Sequence, residues 1–209
     1  MSHYEDEAQV EQLRRWWREN WMALAGGLAL GLAGIFGWQK YQEMHTATSE
    51  HASQIYEDLK KLPAAKSPEG DALADKLVAE FAGTPYAAQA CLLLASRAAE
   101  AGNWDAARSR LDWVLNHADD PGLKKIARLR LARVLWQQAR PDDALAQLVI
   151  ADDDAFAALY QELRGDIQLA RGDRAAAKGA YEKALQLGPA GDAHDALQRK
   201  IDNLAGAAS

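Results

Sequence analysis

Few side chains in this 209-residue sequence have the types and spacing that catalysis or metal binding requires. The five histidines are scattered at His3, His45, His51, His117 and His194, and no two lie four residues apart as in a helical metal site. Cys91 is the only cysteine, so neither an intramolecular disulfide nor a thiolate metal cluster can form. No phosphate-binding loop or nucleophile elbow is present. The sequence therefore predicts a protein that is not an enzyme and has no cofactor.

The acidic run Asp152 to Asp154 is the remaining candidate for chemistry, as a cation site. It lacks the spaced carboxylates and the glycine of an EF-hand loop. We interpret the run as a solvated turn, because surface charge runs commonly do no more.

The charge of the chain excludes one class of partner. The formal net charge is -6, and 25 of the 30 carboxylates but only 20 of the 24 Lys and Arg residues lie from Tyr41 onward. Nucleic acid is therefore not an expected partner of that part. Function is expected to lie in surfaces that bind proteins or lipid.

The stretch from Trp21 to Trp38 has eighteen residues without a charge. As a helix it spans about 27 Å, close to the roughly 30 Å apolar thickness of a bilayer. Tryptophans at both ends match the interfacial position of aromatic rings. A cleaved signal is the first alternative, but no small-residue cleavage site follows. A buried helix is the second, but five glycines would each cost it about 1 kcal/mol. We predict a retained transmembrane helix over 21–39.

The flanking charges predict the orientation of this span. Arg14, Arg15 and Arg18 precede it, whereas Lys40 is the only cation that closely follows. The positive-inside rule places residues 1–20 in the cytoplasm and everything after Lys40 on the other side of the membrane.

Small residues recur at every fourth position of the span, a pattern that allows close helix packing in lipid. They predict a packing face for another membrane helix, although a plain Gly/Ala-rich anchor explains them equally well. The candidate residues are Ala25, Ala29, Ala33, Gly37, Gly27 and Gly31.

The remainder of the chain carries a helical repeat. The apolar spacing within Thr46–Leu62 predicts a membrane-proximal helix, and a polar linker follows over 63–70. Three copies of one layout then start at Gly102, Ala139 and Gly172, which are 37 and 33 residues apart and bracket the 34-residue period of tetratricopeptide repeats. The shared positions, 5, 9 and 12 residues after each start, are held by Ala107, Leu111 and Val114; by Ala144, Leu148 and Ala151; and by Ala177, Tyr181 and Ala184.

These features predict an all-α fold: a single N-terminal transmembrane helix, then a tetratricopeptide-like α-solenoid of about three helix pairs with flanking helices over 71–209. The first helix of each pair lines the concave face. The repeat register predicts a protein-binding groove of Leu92, Ser96, Leu129, Arg133, Trp136, Glu162, Asp166 and Leu169. Trp136 beside Arg133 is the favoured contact pair, with core filling as the alternative for Trp136 and Trp113 as a second candidate.

The chain resembles the YfgM-like family, the ancillary subunit of the SecYEG translocon in Gram-negative bacteria. The likeness rests on "YEDEAQVEQLRRWWREN", the Gly-rich span ending in "GW", "LRLARV" at 129–134 and "LRGDIQLARGDRAAAKGAYEKAL" at 163–185. The resemblance implies a single-pass inner-membrane protein whose periplasmic domain associates with the translocon and with the chaperone PpiD. Secreted polypeptides are implied as further partners.

Two other hypotheses remain open at this point. An adaptor with the same repeats but inverted topology would face the cytoplasm and serve assembly or degradation of envelope enzymes. A membrane-bound enzyme would require a site that the sequence does not reveal.

Overall fold

The computed structural model describes residues 2–63, 67–188 and 191–206, and every regular element within these ranges is an α-helix. The all-α prediction is therefore confirmed for the described chain. The helices are α1 Ser2–Lys61, α2 Ser67–Glu80, α3 Pro85–Glu100, α4 Trp104–His117, α5 Pro121–Gln137, α6 Pro141–Gln147, α7 Ala157–Ala170, α8 Arg174–Gln186 and α9 Asp192–Gly206. The chain divides into two compact units, Met1–Glu50 and His51–Ser209.

The first part of the long helix α1 forms the unit Met1–Glu50, and the large apolar side chains described there are exposed. Trp21, Leu30, Phe36 and Trp38 are each at least half exposed. In the described part of the chain, no single helix has the length and apolar character of a membrane span. Two consecutive pieces of α1, Arg14–Ala23 and Ala25–Lys61, reach that length and apolar character only when they are taken together. A bend of 40° separates them. The predicted single span over 21–39 is thus not confirmed and stays a prediction.

The unit His51–Ser209 contains three helix pairs, α3 with α4, α5 with α6 and α7 with α8, as the repeat spacing predicts. Short turns join the members of each pair. The end of α1 and helix α2 pack on the first pair, and α9 packs on the last. Ile55 and Leu59, which the periodicity of the membrane-proximal helix predicts to be apolar contacts, are buried in this unit.

The turn between the two helices of a pair requires a left-handed residue. Gly102 and Gly172 occupy it with φ of 75° and 84°, at little steric cost. In the middle repeat Ala139 occupies the same place with φ of 56°, which a residue with a β-carbon adopts at a cost. The side chains of Asn103 and Asp173 cap the following helices, whereas Arg140 provides no side-chain cap for α6. The middle turn is therefore the weakest of the three.

Helix α6 is shorter than the repeat predicts. Ala144 and Leu148 are buried as expected, but the helix ends at Gln147 and Ala151 is exposed in the following loop, so that assignment is wrong. Tertiary contacts hold the loop out of the helix. The Arg164 guanidinium donates a hydrogen bond to the Leu148 carbonyl, and Asp152 pairs with Lys183.

The predicted linker over 63–70 also ends early, because α2 already begins at Ser67. Gly70 is buried within α2, and a β-carbon there would lie 3.4 Å from Cδ1 of Leu59. The guanidinium of Arg97 donates hydrogen bonds to the carbonyls of Leu59 and Leu62. These bonds satisfy carbonyl groups that lack a partner within the helix at the end of α1. The end of α1 and the start of α2 are therefore folded against the first repeat.

Candidate protein-binding groove

A cavity of about 280 Å³ lies between α3 and α5, the first helices of two successive pairs. Helix α4 supplies part of its wall. We refer to this cavity as the α3–α5 groove; its lining residues are Ala95, Ser96, Ala99, Trp104, Leu111, Arg130, Arg133, Val134 and Gln137.

Helical spacing explains how these residues come together. Ser96 and Ala99 are three residues apart on α3, and Arg130, Arg133 and Gln137 follow the same three-or-four spacing on α5. The side chains on α3 are small, which leaves room between the two helices. The groove therefore has a mostly apolar wall on α3 and a basic, polar wall on α5.

The charge of α5 is unusual for this acidic chain. The helix carries Lys124, Lys125, Arg128, Arg130 and Arg133 and no carboxylate. In the groove, Nη1 of Arg130 donates a hydrogen bond to the Leu92 carbonyl at 2.9 Å. Burial, and then the nearby charge of Arg133, lower the pKa of Arg130 from its usual value. Among the residues that the structure describes, no carboxylate pairs with either groove arginine.

Two of the predicted groove residues line this cavity, namely Ser96 and Arg133. Leu92 and Leu129 do not, because both are buried in the core with relative exposures of 6% and 7%. Trp136 is half-buried and packs against the same core, as the alternative interpretation of that residue has it. Leu92 and Leu129 belong to the core that holds the groove helices together, and Trp136 packs against that core.

The predicted residues on α7 have a different role. Lys200 of α9 donates hydrogen bonds to Glu162 at 2.8 Å and to Asp166 at 2.7 Å. Tyr181 of α8 also donates to Asp166 at 2.8 Å. Glu162 and Asp166 therefore fasten the terminal helix to the last repeat and are not open groove residues. Leu169 is exposed on α7, and its assignment stays a prediction.

Trp113, the second aromatic candidate, is also half-buried. It packs against both the large central cluster and the cluster formed by α1, α2 and α3, and its ring stacks on His117 with centroids 4.8 Å apart. Trp113 therefore joins two parts of the hydrophobic core, which explains its position.

Sequence reasoning missed Arg130, the second basic residue of the groove. The register counted from the turn selected Leu129, one residue away and on the buried side. The absence of carboxylates in α5 and the three-residue spacing of Arg130 and Arg133 are the signals that could have identified it.

The arginines of a second cavity are engaged within the domain. A cavity of about 390 Å³ between α2, α3 and α4 is lined by Arg97 and Arg110. Arg97 bonds the end of α1, and Arg110 pairs with Asp71 at 3.0 Å and Asp75 at 2.6 Å. These arginines join helices and are not free for a ligand.

The residues considered for catalysis or metal binding are also engaged. Asp152 lies 2.7 Å from Nζ of Lys183, and Asp154 pairs with Lys125 and accepts a hydrogen bond from the Phe156 backbone. In the described ranges, no group of three His, Cys, Asp or Glu residues could hold a metal ion. Cys91 is buried, and burial raises the pKa of its thiol to about 11, so it stays protonated at neutral pH.

The packing stripe predicted on α1 is uncovered within the described chain. A β-carbon added at Gly27, Gly31 or Gly37 meets no atom within 4 Å, and Ala25, Ala29 and Ala33 are exposed. The stripe stays a prediction.

Comparisons with known proteins cover almost the whole chain. A family model described as "Tetratricopeptide repeat-like domain" matches residues 14–206. A Haemophilus influenzae protein is 34% identical over 184 residues, covering 88% of this chain and 90% of its own length. An Escherichia coli K12 protein is 32% identical over 205 residues, covering 98% and 99% of the two chains. A Neisseria gonorrhoeae protein is 29% identical over 206 residues, covering 97% and 99%.

All three relatives carry the name "Ancillary SecYEG translocon subunit". The matches include both the long first helix and the repeats, and the family model spans the same three helix pairs that the structure shows. The chain therefore belongs to the family of ancillary SecYEG translocon subunits, which is built on a tetratricopeptide repeat-like domain.

Proposed function

We propose that this protein is a non-enzymatic subunit associated with the SecYEG translocon in the inner membrane. Residues 21–39 anchor it as a single span, residues 1–20 lie in the cytoplasm, and the repeat domain over 71–209 lies in the periplasm. The membrane-proximal segment over 40–70 joins the two. The similarity to the named translocon subunits over 98% of the chain carries this proposal, because it includes the first helix as well as the repeats.

The N-terminal unit supports the anchor. Large apolar side chains such as Leu30, Phe36 and Trp38 are exposed along α1, where water would make their exposure costly. Lipid or another membrane helix removes that cost. The uncovered small residues of the same helix, such as Gly27 and Gly31, suit close contact with a translocon helix.

The repeat domain supplies the binding surface for proteins in the periplasm. We assign it a PpiD-like chaperone and emerging secreted polypeptides as partners. Tethering beside the translocon raises the effective concentration of a weak binder there without requiring further contacts. A modest groove such as the α3–α5 groove is therefore sufficient for this role.

The alternative is an adaptor with the same repeats facing the cytoplasm. Arg14, Arg15 and Arg18 decide against it under the positive-inside rule, since Lys40 is the only cation that closely follows the apolar stretch. A reporter fusion after Ser209 that is active on only one side of the membrane separates the two.

Photocrosslinking in intact cells tests the association. We expect a photoreactive phenylalanine analogue at Phe36, on the exposed apolar part of α1, to form adducts with SecY, SecE or SecG. The same analogue at Gln137, in the α3–α5 groove, should form adducts with a periplasmic chaperone or secreted chains.

A matched control places the analogue at Gln54, an exposed position of α1 in the folded unit. We expect it to give neither set of adducts in comparable yield. Absence of translocon adducts from Phe36, or equal adducts from Gln54, would contradict the proposed association.

A further inference from the structure

We infer that the α3–α5 groove binds an extended segment of a partner protein in which an acidic side chain lies next to an apolar one. This inference rests on the proposed function, because it gives the chemistry of the partner segment that the periplasmic domain holds. The observation behind it is the pair Arg130 and Arg133, two basic side chains on one wall of an otherwise small and largely apolar groove.

The two arginines have unused hydrogen-bonding capacity. A guanidinium has five N–H donors, and within the described chain Arg130 donates one hydrogen bond, to the Leu92 carbonyl. That bond fixes the half-buried side chain against α3. Within the described chain, Arg133 has no hydrogen-bond or ion-pair partner and is exposed at the groove. A carboxylate placed between them would gain charge-assisted, bidentate hydrogen bonds.

The domain does not neutralise this charge by itself, although carboxylates are abundant in it. Helix α5 contributes five Lys and Arg residues and no acid, and Lys125 is the member that pairs with an aspartate. The nearest carboxylate on α3 is Glu100, which accepts a weak hydrogen bond from Ser96 at 3.2 Å and lines the neighbouring cavity of Arg97 and Arg110. The positive wall is therefore open to a partner.

The other walls favour an apolar side chain beside the carboxylate. They are lined by Ala95, Ala99, Leu111, Val134 and Trp104. A volume of about 280 Å³ lies just below the usual range of about 300–1,000 Å³ for small-molecule pockets. The groove therefore suits a short stretch of chain, and Gln137 at its edge can hydrogen-bond the backbone of that stretch.

The acid is a side chain of the partner and not its C-terminus. Terminal carboxylates are captured by free backbone N–H groups. Ser96, Ala99, Arg130 and Arg133 lie inside α3 and α5, where the backbone N–H groups are already bonded within the helix. The groove offers side-chain donors only.

Peptide binding to the full chain in detergent tests this inference by fluorescence anisotropy. The probe is a fluorescein-labelled eight-residue peptide of alternating leucine and glutamate, capped at both ends. We expect it to bind, and we expect a peptide with glutamine in place of glutamate to bind at least tenfold more weakly, which corresponds to about 1.4 kcal/mol. A glutamine peptide with a free C-terminal carboxylate should bind as weakly as the capped one.

Two variants locate the site. Arg133→Glu should weaken the glutamate peptide at least tenfold, and Arg133→Gln less strongly. Arg128→Glu makes the same charge change on an exposed residue of α5 that does not line the groove, so it should change binding by less than about twofold. Equal losses in Arg133→Glu and Arg128→Glu would overturn the inference in favour of a diffuse charge effect.

Other outcomes would also overturn it. These are binding of the glutamine peptide as tight as that of the glutamate peptide, preference for the free terminal carboxylate, or displacement of the probe by phosphatidylglycerol added to the same detergent micelles, as a lipid headgroup site predicts. Loss of peptide binding with intact crosslinking from Phe36 to SecYEG overturns this inference alone. Peptide binding without that crosslinking overturns the proposed association alone.

Discussion

Replacing Gly165 by alanine is expected to destabilise the repeat domain by about 2–3 kcal/mol, the cost typical of overpacking a filled core. A β-carbon at Gly165 would lie 2.4 Å from Cε1 and 2.5 Å from Cδ1 of Tyr181, far inside contact distance. Tyr181 cannot easily move away, since it is 1% exposed and its hydroxyl donates a hydrogen bond to Asp166. Helices α7 and α8 must therefore separate.

Urea unfolding followed by far-UV circular dichroism measures this effect. Gly179→Ala is the matched control: Gly179 lies on the exposed side of α8, and a β-carbon there meets no atom within 4 Å. That variant should be unchanged or stabilised by up to about 1 kcal/mol, because alanine is the better helix former. If Gly165→Ala unfolded at the same urea concentration as Gly179→Ala, the described packing of α7 on α8 would be incorrect.

The second large effect concerns the membrane. Leu30 and Leu32 lie near the middle of the predicted span and are 78% and 46% exposed. Replacing both by arginine should release the chain from alkaline-extracted membranes. Each arginine costs about 3 kcal/mol at the centre of a span, so the pair opposes insertion by roughly 6 kcal/mol.

A control with the same chemical change is available in the repeat domain. Val149 and Leu159 are 71% and 44% exposed, which matches the two leucines of α1. Val149→Arg with Leu159→Arg should leave the protein in the membrane fraction. Retention of the Leu30 and Leu32 double variant in carbonate-washed membranes would refute an anchor at this position.

The repeat architecture could be predicted from the sequence because its signals are local. The starts at Gly102, Ala139 and Gly172 all occupy the left-handed turn between two helices, although the middle one is not glycine. Small residues such as Gly165 lie where the helices cross. Position within the repeat, and not residue identity, defined the turn.

The groove was harder to predict because it depends on helix rotation. An error of one residue turns a helical position by about 100°. An error of this size selects the buried Leu129 in place of the half-exposed Arg130. Glu162 and Asp166 have partners that the sequence did not predict, because Lys200, more than thirty residues later, reaches them from α9. The long-range ion pair has no local sequence signal, whereas the spacing of the basic residues on α5 is a signal that the repeat register does not use.

The boundaries that failed were also set by tertiary contacts. Helix α6 ends early where Arg164 bonds the Leu148 carbonyl, and α2 begins early because Gly70 packs against Leu59. The sequence placed the linker boundary at residue 70 from turn-forming residues, and it placed Ala151 in the repeat from spacing alone.

The central claim is that α1 crosses the inner membrane and places the repeat domain in the periplasm. Alkaline phosphatase joined after Ser209 tests it most directly, with green fluorescent protein at the same junction as the reciprocal reporter. We expect an active phosphatase and a non-fluorescent green fluorescent protein in intact cells. Alkaline phosphatase folds only outside the cytoplasm, and green fluorescent protein becomes fluorescent only inside it. An inactive phosphatase fusion with a fluorescent partner fusion would contradict the account and place the repeats in the cytoplasm.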